Sequence, residues 1–415
     1  MDRYRYDAIV VGARCAGSPT AMLLARQGHR VLVVDRARFP SDMLSTHLIH
    51  PPGVVALRRW GVLAKVEQSG CPPIHTYSYD FGPMTIHGSP RPTEGIGHAY
   101  GPRRTVLDKI LVDAAAEAGA EVREEFVVDE LIWEDRRVTG IRGHALRGQQ
   151  VTERTRVVIG ADGRHSFVAK AVHAEQYDEK PIAATGYYSY WSDLPENGLK
   201  FFIRPNRGIG MLPTNDGLTL LITAWPQRQF HENRSDIEGN YLSAIALVPK
   251  LAERLAGARR EERFRGGGVE NFFRTPYGPG WALVGDAGYT KDPVTAWGIS
   301  DAFYDAERCA NGLHEWLDGS REFEDAMSAY QRERDHHAKP MYELTSGLAP
   351  LAPPPPEMQQ LLGAAHGNSE AMDDFVSVMA GTLPVADFFG PANAQRLLAI
   401  AAEQASPGSN AAQHR

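Results

Sequence analysis

The chain opens with alternating apolar and amphipathic segments that predict a βαβ unit. Ala8-Ile9-Val10-Val11 is a continuous apolar run, the pattern of a parallel strand covered on both faces. Residues 16–27 carry helical periodicity and end at Gly28, a residue suited to the left-handed backbone past a helix C-terminus. Val31-Leu32-Val33-Val34 repeats the buried-strand pattern and closes at Asp35. Further helices are predicted over 51–60, stopped by Gly61, and over 105–118, stopped by Gly119. Strand patterns follow at 122–128, 130–133, 138–141 and 156–159, with a hairpin turn at Glu134-Asp135-Arg136-Arg137.

From Ile182 to Trp225 the pattern changes. Aromatic and β-branched strands alternate with turn signals such as Pro195-Glu196-Asn197-Gly198 and Asn215-Asp216-Gly217, which predicts a mostly antiparallel sheet. Trp281-Ala282-Leu283-Val284 returns to the buried-strand pattern, so the chain is expected to re-enter its first domain. The expected organisation is a first α/β domain over 1–180, an inserted antiparallel-sheet domain over 181–275, a return segment over 276–345 and a helical region over 346–405. Pro353-Pro354-Pro355-Pro356 reads as a loop joining helical segments, and 406–415 as a polar, disordered tail.

Composition narrows the class. The 415 residues are 43% hydrophobic and carry 44 basic against 51 acidic side chains, a net charge of -7. Without clustered Lys and Arg, nucleic acid is not an expected partner. Three scattered cysteines argue against a disulfide framework and for a reducing, cytoplasmic setting. No run approaches the roughly 18 apolar residues of a membrane span, and the N-terminus runs straight into a strand, so no signal peptide is expected. There is no His-Glu-x-x-His, Cys-x-x-Cys, Gly-x-Ser-x-Gly or P-loop, and the adjacent His336 and His337 make a poor metal pair, so no metal is expected.

Two segments carry the chemistry. Gly12-Ala13-Arg14-Cys15-Ala16-Gly17 lies between the first strand and its helix. A pyrophosphate placed there meets free backbone N–H groups and the positive end of the helix dipole. Gly12 permits the tight turn, Gly17 close helix–strand packing, and Asp35 at the end of the second strand can accept from ribose hydroxyls. Arg14 stands where a second glycine is usual. It adds a charge near the pyrophosphate or shifts the turn. The second segment is Leu283-Val284-Gly285-Asp286-Ala287-Gly288, followed by Pro293, Ala296, Trp297, Gly298 and Ile299. A carboxylate at Asp286 can hold ribityl hydroxyls, and a helix starting beyond it can face the pyrimidine edge of an isoalloxazine and stabilise negative charge there.

With these segments, Gly160-Ala161-Asp162-Gly163 and Arg104-Thr105-Val106-Leu107-Asp108, the chain resembles the FAD-dependent aromatic hydroxylases of the p-hydroxybenzoate hydroxylase type. That broad group also holds flavin-dependent halogenases and geranylgeranyl reductases. The resemblance runs from Ala8 to about Glu307. It implies a Rossmann-like FAD-binding domain of the glutathione reductase type, an inserted substrate sheet and a helical C-terminal region. It also implies FAD contacts at Gly12, Ala13, Arg14, Ala16, Gly17, Asp35, Arg36, Arg104, Asp162, Gly163, Gly285, Asp286, Pro293, Ala296, Gly298 and Ile299. The pyridine nucleotide, NADPH or NADH, would bind transiently without a Rossmann domain of its own. Ala296 and Ser300 stand where many members have glycine and asparagine, and Gly288-Tyr289 replaces alanine-histidine.

Three reactions share this scaffold. The expected one is oxygenation: hydroxylation or epoxidation of a hydrophobic or aromatic small molecule with NAD(P)H and molecular oxygen, in secondary metabolism. Reduction of isoprenoid double bonds is the alternative. Halogenation is less favoured, because Gly208-Ile209-Gly210-Met211-Leu212-Pro213 lacks the tryptophans of the halogenase segment. His47 could serve as acid or base beside the flavin, or His47 and His50 could be a helix cap and a satisfied core side chain. Trp297 is the better aromatic candidate for touching flavin or substrate. Tyr188, Tyr190, Phe202 and Trp225 are candidate pocket residues, although strand alternation turns about half of such a set to the opposite face.

Overall fold

The computed structural model describes residues 4–146 and 148–405; the expected tail at 406–415 lies outside the described residues. β1 (Tyr6–Val11), α1 (Gly17–Arg26) and β2 (Val31–Val34) form the expected βαβ unit. Ala8, Ile9 and Val10 are fully buried, as are Leu32, Val33 and Val34, because helices and a second layer cover both faces of the sheet. Its parallel core runs 281–283, 150–160, β1, β2, 121–123.

The strand break near 124 differs from the sequence pattern. Glu125 has a positive φ of 55° and separates the short 121–123 strand from one longer strand, Phe126–Glu134. The register shifts between Val128 and Glu130, so the interruption there is a bulge rather than a strand end. Asp135 and Arg136, both at positive φ, make the tight hairpin to 137–145.

The second sheet is built on the antiparallel strands 184–192, 219–226, 207–213 and 199–204. Strand 77–80 joins it in parallel beside 199–204 and carries 85–88 with it, so two strands from the first 180 residues complete the sheet. One face packs on the helices Ile237–Ala246 and Pro249–Ala256 through Trp191, Met211, Leu221 and Tyr241. The other packs on the C-terminal helices Pro356–Ala365 and Ser369–Ala380 through Tyr77, Tyr79, Leu362, Phe375 and Met379. No described helix is long and apolar enough to cross a membrane.

Candidate active site

The first glycine turn is forced into shape by its neighbours. Gly12 has φ of 103°, and a Cβ there would lie 2.4 Å from Ala161 O; a Cβ on Gly17 would lie 1.8 Å from Gly12 O. Only glycine lets the backbone of β1 turn this close to the 150–160 strand and to α1. Asp35 supports the turn directly: Oδ2 accepts from the Ala13 N–H at 2.7 Å and Oδ1 from the Ala37 N–H at 2.7 Å. Each oxygen retains acceptor capacity for a ribose hydroxyl. α1 starts with no side-chain cap; the Ser18 and Thr20 N–H groups already donate to Arg14 O (3.0 Å) and Ala16 O (3.2 Å) and Pro19 has no N–H, so its first turn offers an anion chiefly the positive end of the helix dipole. Arg36, next along, is exposed.

Arg14 settles its own ambiguity by leaving the turn. Its guanidinium donates to Asp108 Oδ2 at 2.5 Å and to the carbonyl and hydroxyl of Ser41 at 3.2 and 3.0 Å, and it lies over the Phe39 ring. Arg104 reaches the same carboxylate from one helical turn away, at 3.0 and 3.1 Å, and the Cys15 thiol donates to it at 3.4 Å. Two guanidinium groups share one fully buried carboxylate, so this cluster leaves a net positive charge behind the turn. The i,i+4 spacing of Arg104 and Asp108 was visible in the sequence, but the third member, Arg14, was not.

Asp162 spends its carboxylate locally. It accepts from Ser166 Oγ at 2.5 Å and from the Phe167 N–H at 2.6 Å, at the start of the short Phe167–Ala171 helix that Ser166 caps. Gly163 beside it, at φ of 79°, faces open space. Burial raises the Asp162 carboxyl, against these hydrogen bonds.

The return segment meets the first turn. Gly285 has φ of 57°, and a Cβ there would sit 2.8 Å from Ala16 Cβ. Buried groups clamp its backbone: Tyr330 donates to Leu283 O (2.9 Å), Arg274 to Ala287 O (2.9 Å) and the fully buried Arg334 to Gly288 O (3.3 Å), while the Gly285 N–H donates to Asp305 (3.2 Å). Asp286 keeps accessible surface, yet protein surrounds it closely enough for desolvation to raise its carboxyl; Arg104 and Lys291 oppose that rise and Asp301 reinforces it. Asp292 caps the Pro293–Thr295 turn through the Val294 N–H at 3.0 Å. Ala296 follows at φ of 57°, a left-handed position where glycine would be unstrained. The Gly298–Leu317 helix then begins without a side-chain cap, at an exposed glycine with no neighbour to meet a Cβ. Ile299 is buried in its first turn.

On the sheet, alternation divides the aromatic set. Tyr188 and Tyr190 project toward His47, with ring centroids 5.7 and 5.6 Å away. Phe202 and Trp225 project from the opposite face, Phe202 against the 237–256 helices and Trp225 stacked on Tyr187. They cannot line a pocket with Tyr188 and Tyr190, because the register sets Trp225 opposite Thr185 and carries Phe202 through Ile209 and Thr223 to Tyr187, the positions whose side chains alternate to the other face. Half-buried ion pairs that the sequence did not reveal frame the tyrosine side. Arg103 lies 4.5 Å over the Tyr190 ring and pairs with Glu262, and Arg265 pairs with Asp42 at 2.7 Å.

Both histidines are fully buried and fully partnered. His47 Nδ1 faces Ser45 O at 2.8 Å, and a carbonyl only accepts, so Nδ1 carries the proton and Nε2 accepts from the Tyr190 hydroxyl at 2.6 Å. His50 mirrors it: Nε2–H donates to Thr295 O at 3.1 Å and Nδ1 accepts from Tyr77 at 3.0 Å. Burial lowers His47 to about 3 and His50 to about 4, so both rings are neutral. His50 occupies the position before the Pro51–Arg59 helix, but its side chain makes no cap bond. Trp297 stacks on His50 at 5.0 Å and donates from Nε1 to Met379 O at 3.0 Å. It ties the 293–298 turn to the C-terminal helices.

Two uncapped helix starts, one following Gly12 and one following Asp286, with a carboxylate beside each, fit the pyrophosphate, ribose and ring of FAD. Comparison with known proteins agrees. Residues 5–345 match the family model described as FAD binding domain. The chain is 22% identical over 331 residues to 1H-pyrrole-2-carbonyl-[peptidyl-carrier protein] brominase of Pseudoalteromonas luteoviolacea, covering 76% of this chain and 79% of that one. It is 26% identical over 359 residues to digeranylgeranylglycerophospholipid reductase of Methanocella arvoryzae, covering 79% and 82%. Its fold is shared with PqsL of Pseudomonas aeruginosa, solved with 2-aminobenzoylacetate, at a TM-score of 0.73 and 22% identity over 92% of this chain and 99% of that one. The chain belongs to the FAD binding domain family and is a flavin-dependent oxidoreductase.

Proposed function

We propose that the protein is an NAD(P)H- and oxygen-dependent monooxygenase that hydroxylates or epoxidises a hydrophobic or aromatic small molecule. The observation that carries this reading is one apolar cluster. Ala296 of the flavin-facing turn and Leu48 beside His47 pack together with Tyr188, Tyr190, Leu212 and Leu220 of the sheet. An apolar wall between ring and sheet excludes water from the reacting centre, which oxygen transfer requires. PqsL, which shares the fold, is named a probable FAD-dependent monooxygenase and was solved in complex with 2-aminobenzoylacetate.

The residues that would hold FAD are the backbone of Gly12, Ala13, Ala16 and Gly17 at the pyrophosphate and Asp35 with Arg36 at the adenosine ribose. Arg104, Asp162 and Gly163 would flank the middle, and Gly285 with Asp286 the ribityl chain. Pro293, Ala296, Gly298 and Ile299 would line the ring. Bound there, FAD supplies two-electron chemistry and activates oxygen. Arg14 contributes through Asp108 rather than by direct contact. His47, neutral and held at both nitrogens, orients the Tyr190 phenol instead of moving a proton. Trp297 closes the wall through Met379.

The test is product mass under labelled oxygen. FAD-loaded protein, NADPH or NADH, and a panel of phenolic, anilinic and polyene compounds should yield a product carrying one labelled oxygen atom, with reductant consumption accelerated by that compound. A product gaining two hydrogens instead would establish the reductase reading. A product whose formation requires bromide or chloride would establish halogenation.

A further inference from the structure

Around the start of the 298–317 helix lie four carboxylates, Asp286, Asp292, Asp301 and Asp305, and a single lysine, Lys291. Apart from Asp286 all are buried, Lys291 being 9% exposed and Asp301 6%. Lys291 Nζ donates to both Asp301 Oδ2 and the Tyr289 hydroxyl, and that hydroxyl donates in turn to Asp301 Oδ2 at 3.1 Å. The lysine also lies 4.8 Å over the Tyr289 ring. A lysine taken this far from water is tolerated only when paired, and such a pair seldom adds stability over apolar residues of the same size. Its presence at this turn points to electrostatics.

Asp301 stands in the first turn of the helix, with its negative charge beside a helix start that has no side-chain cap. Alone it would cancel the positive end of the helix dipole. Lys291 removes that cancellation. The pair is within electrostatic range of Asp286, whose carboxyl Asp301 raises and Lys291 lowers. Arg104 and Arg164 also face Asp286, and Asp305 is held by the Gly285 N–H.

We propose that Lys291 is a positioning residue that sets the reduction potential of the flavin by neutralising Asp301 at this helix start. The inference rests on the FAD reading above. Hydride transfer from the nicotinamide donor adds two electrons and one proton to the ring, oxidises the donor, and leaves one negative charge on the reduced flavin. A positive helix start stabilises that charge. An uncompensated Asp301 opposes it.

The experiment is spectroscopic determination of the midpoint potential of FAD-loaded protein against reference dyes, at about pH 9 so that a buried carboxyl stays ionised. Lys291→Met should shift the equilibrium about tenfold toward oxidised flavin, a fall of about 29.6 mV for the two-electron couple. Asp301→Asn leaves the lysine unpaired and should raise the potential by a similar factor. The double variant Lys291→Met/Asp301→Asn should return close to wild type, and Lys291→Arg should retain it. Should Lys291→Met fail to fold, the Asp301→Asn and double variants still decide. Potentials that move in the same direction in both single variants, or in neither, overturn the proposal. A wild-type protein that takes up no FAD overturns the cofactor reading and this inference together, whereas bound FAD with unchanged potentials overturns only this one.

Discussion

Asp292→Asn tests the idea that the Pro293–Thr295 turn is held at the expense of stability. Asp292 is 2% exposed, its Oδ1 caps the Pro293–Thr295 turn, and its Oδ2 has no hydrogen-bond partner. Burial pushes its carboxyl from 3.8 up to about 7, opposed only partly by backbone N–H groups. Because the folded state holds this proton more tightly than the unfolded chain, stability is greatest below about pH 4 and falls as pH rises toward 7. At about 1.4 kcal/mol per pH unit, the loss at pH 8 is about 4 kcal/mol. Asparagine keeps an oxygen for the Val294 N–H and carries no charge, so the variant escapes that loss. Its unfolding free energy relative to wild type should increase by about 2.7 kcal/mol between about pH 5 and about pH 8 and level off above pH 7. Denaturant titrations of both proteins across that range read it directly. Taking the difference removes the opposing contributions of His47 and His50, whose neutral burial makes both proteins less stable as pH falls below 6.5. A difference that stays constant over this range, or that shrinks with rising pH, would refute the reasoning.

Asp286→Ala should strip FAD during purification, seen as loss of the flavin absorbance relative to protein; full retention contradicts the role proposed for that carboxylate. Gly381→Ala should lower the melting temperature by several degrees, because Gly381 is at φ of 73° and a Cβ would lie 1.8 Å from the Trp297 ring. Left-handed strain of about 1–2 kcal/mol and overpacking of about 1–3 kcal/mol act together there, and an unchanged melting temperature would show that Trp297 does not dock as described. Tyr190→Phe leaves the His47 Nε2 acceptor without its donor and should cost about 1–3 kcal/mol of stability. If His47 only orients this phenol, the variant should leave the pH profile of turnover unchanged in shape, whereas loss of a limb would return His47 to acid–base work.

Short-range structure was legible in the chain because its causes are local. The βαβ unit followed from two four-residue apolar runs, a helical period and Gly28, and the hairpin at 134–137 from its turn residues. The 124–130 region was less legible, since a β-bulge at Asp129 looks the same as a strand end until the partner strand is in place. The addition of strands 77–80 and 85–88 to the second sheet had no signal at all, because strand pairing across more than a hundred residues leaves no mark on either segment alone.

By itself the sequence determined a dinucleotide-type turn at Gly12–Gly17, an acid at the end of the second strand and a second motif at Gly285–Asp286, each dictated by backbone freedom or by spacing along the chain. Only the tertiary structure decided where the charged groups went. Arg14 closed on Asp108 and Ser41, His47 and His50 became neutral and fully bonded, Phe202 and Trp225 went to the far side of the sheet, and Lys291 closed on Asp301. The physical reason is the same in each case. A buried polar or charged side chain must find a partner, and which partner lies within reach is a property of the folded chain rather than of its neighbours in sequence.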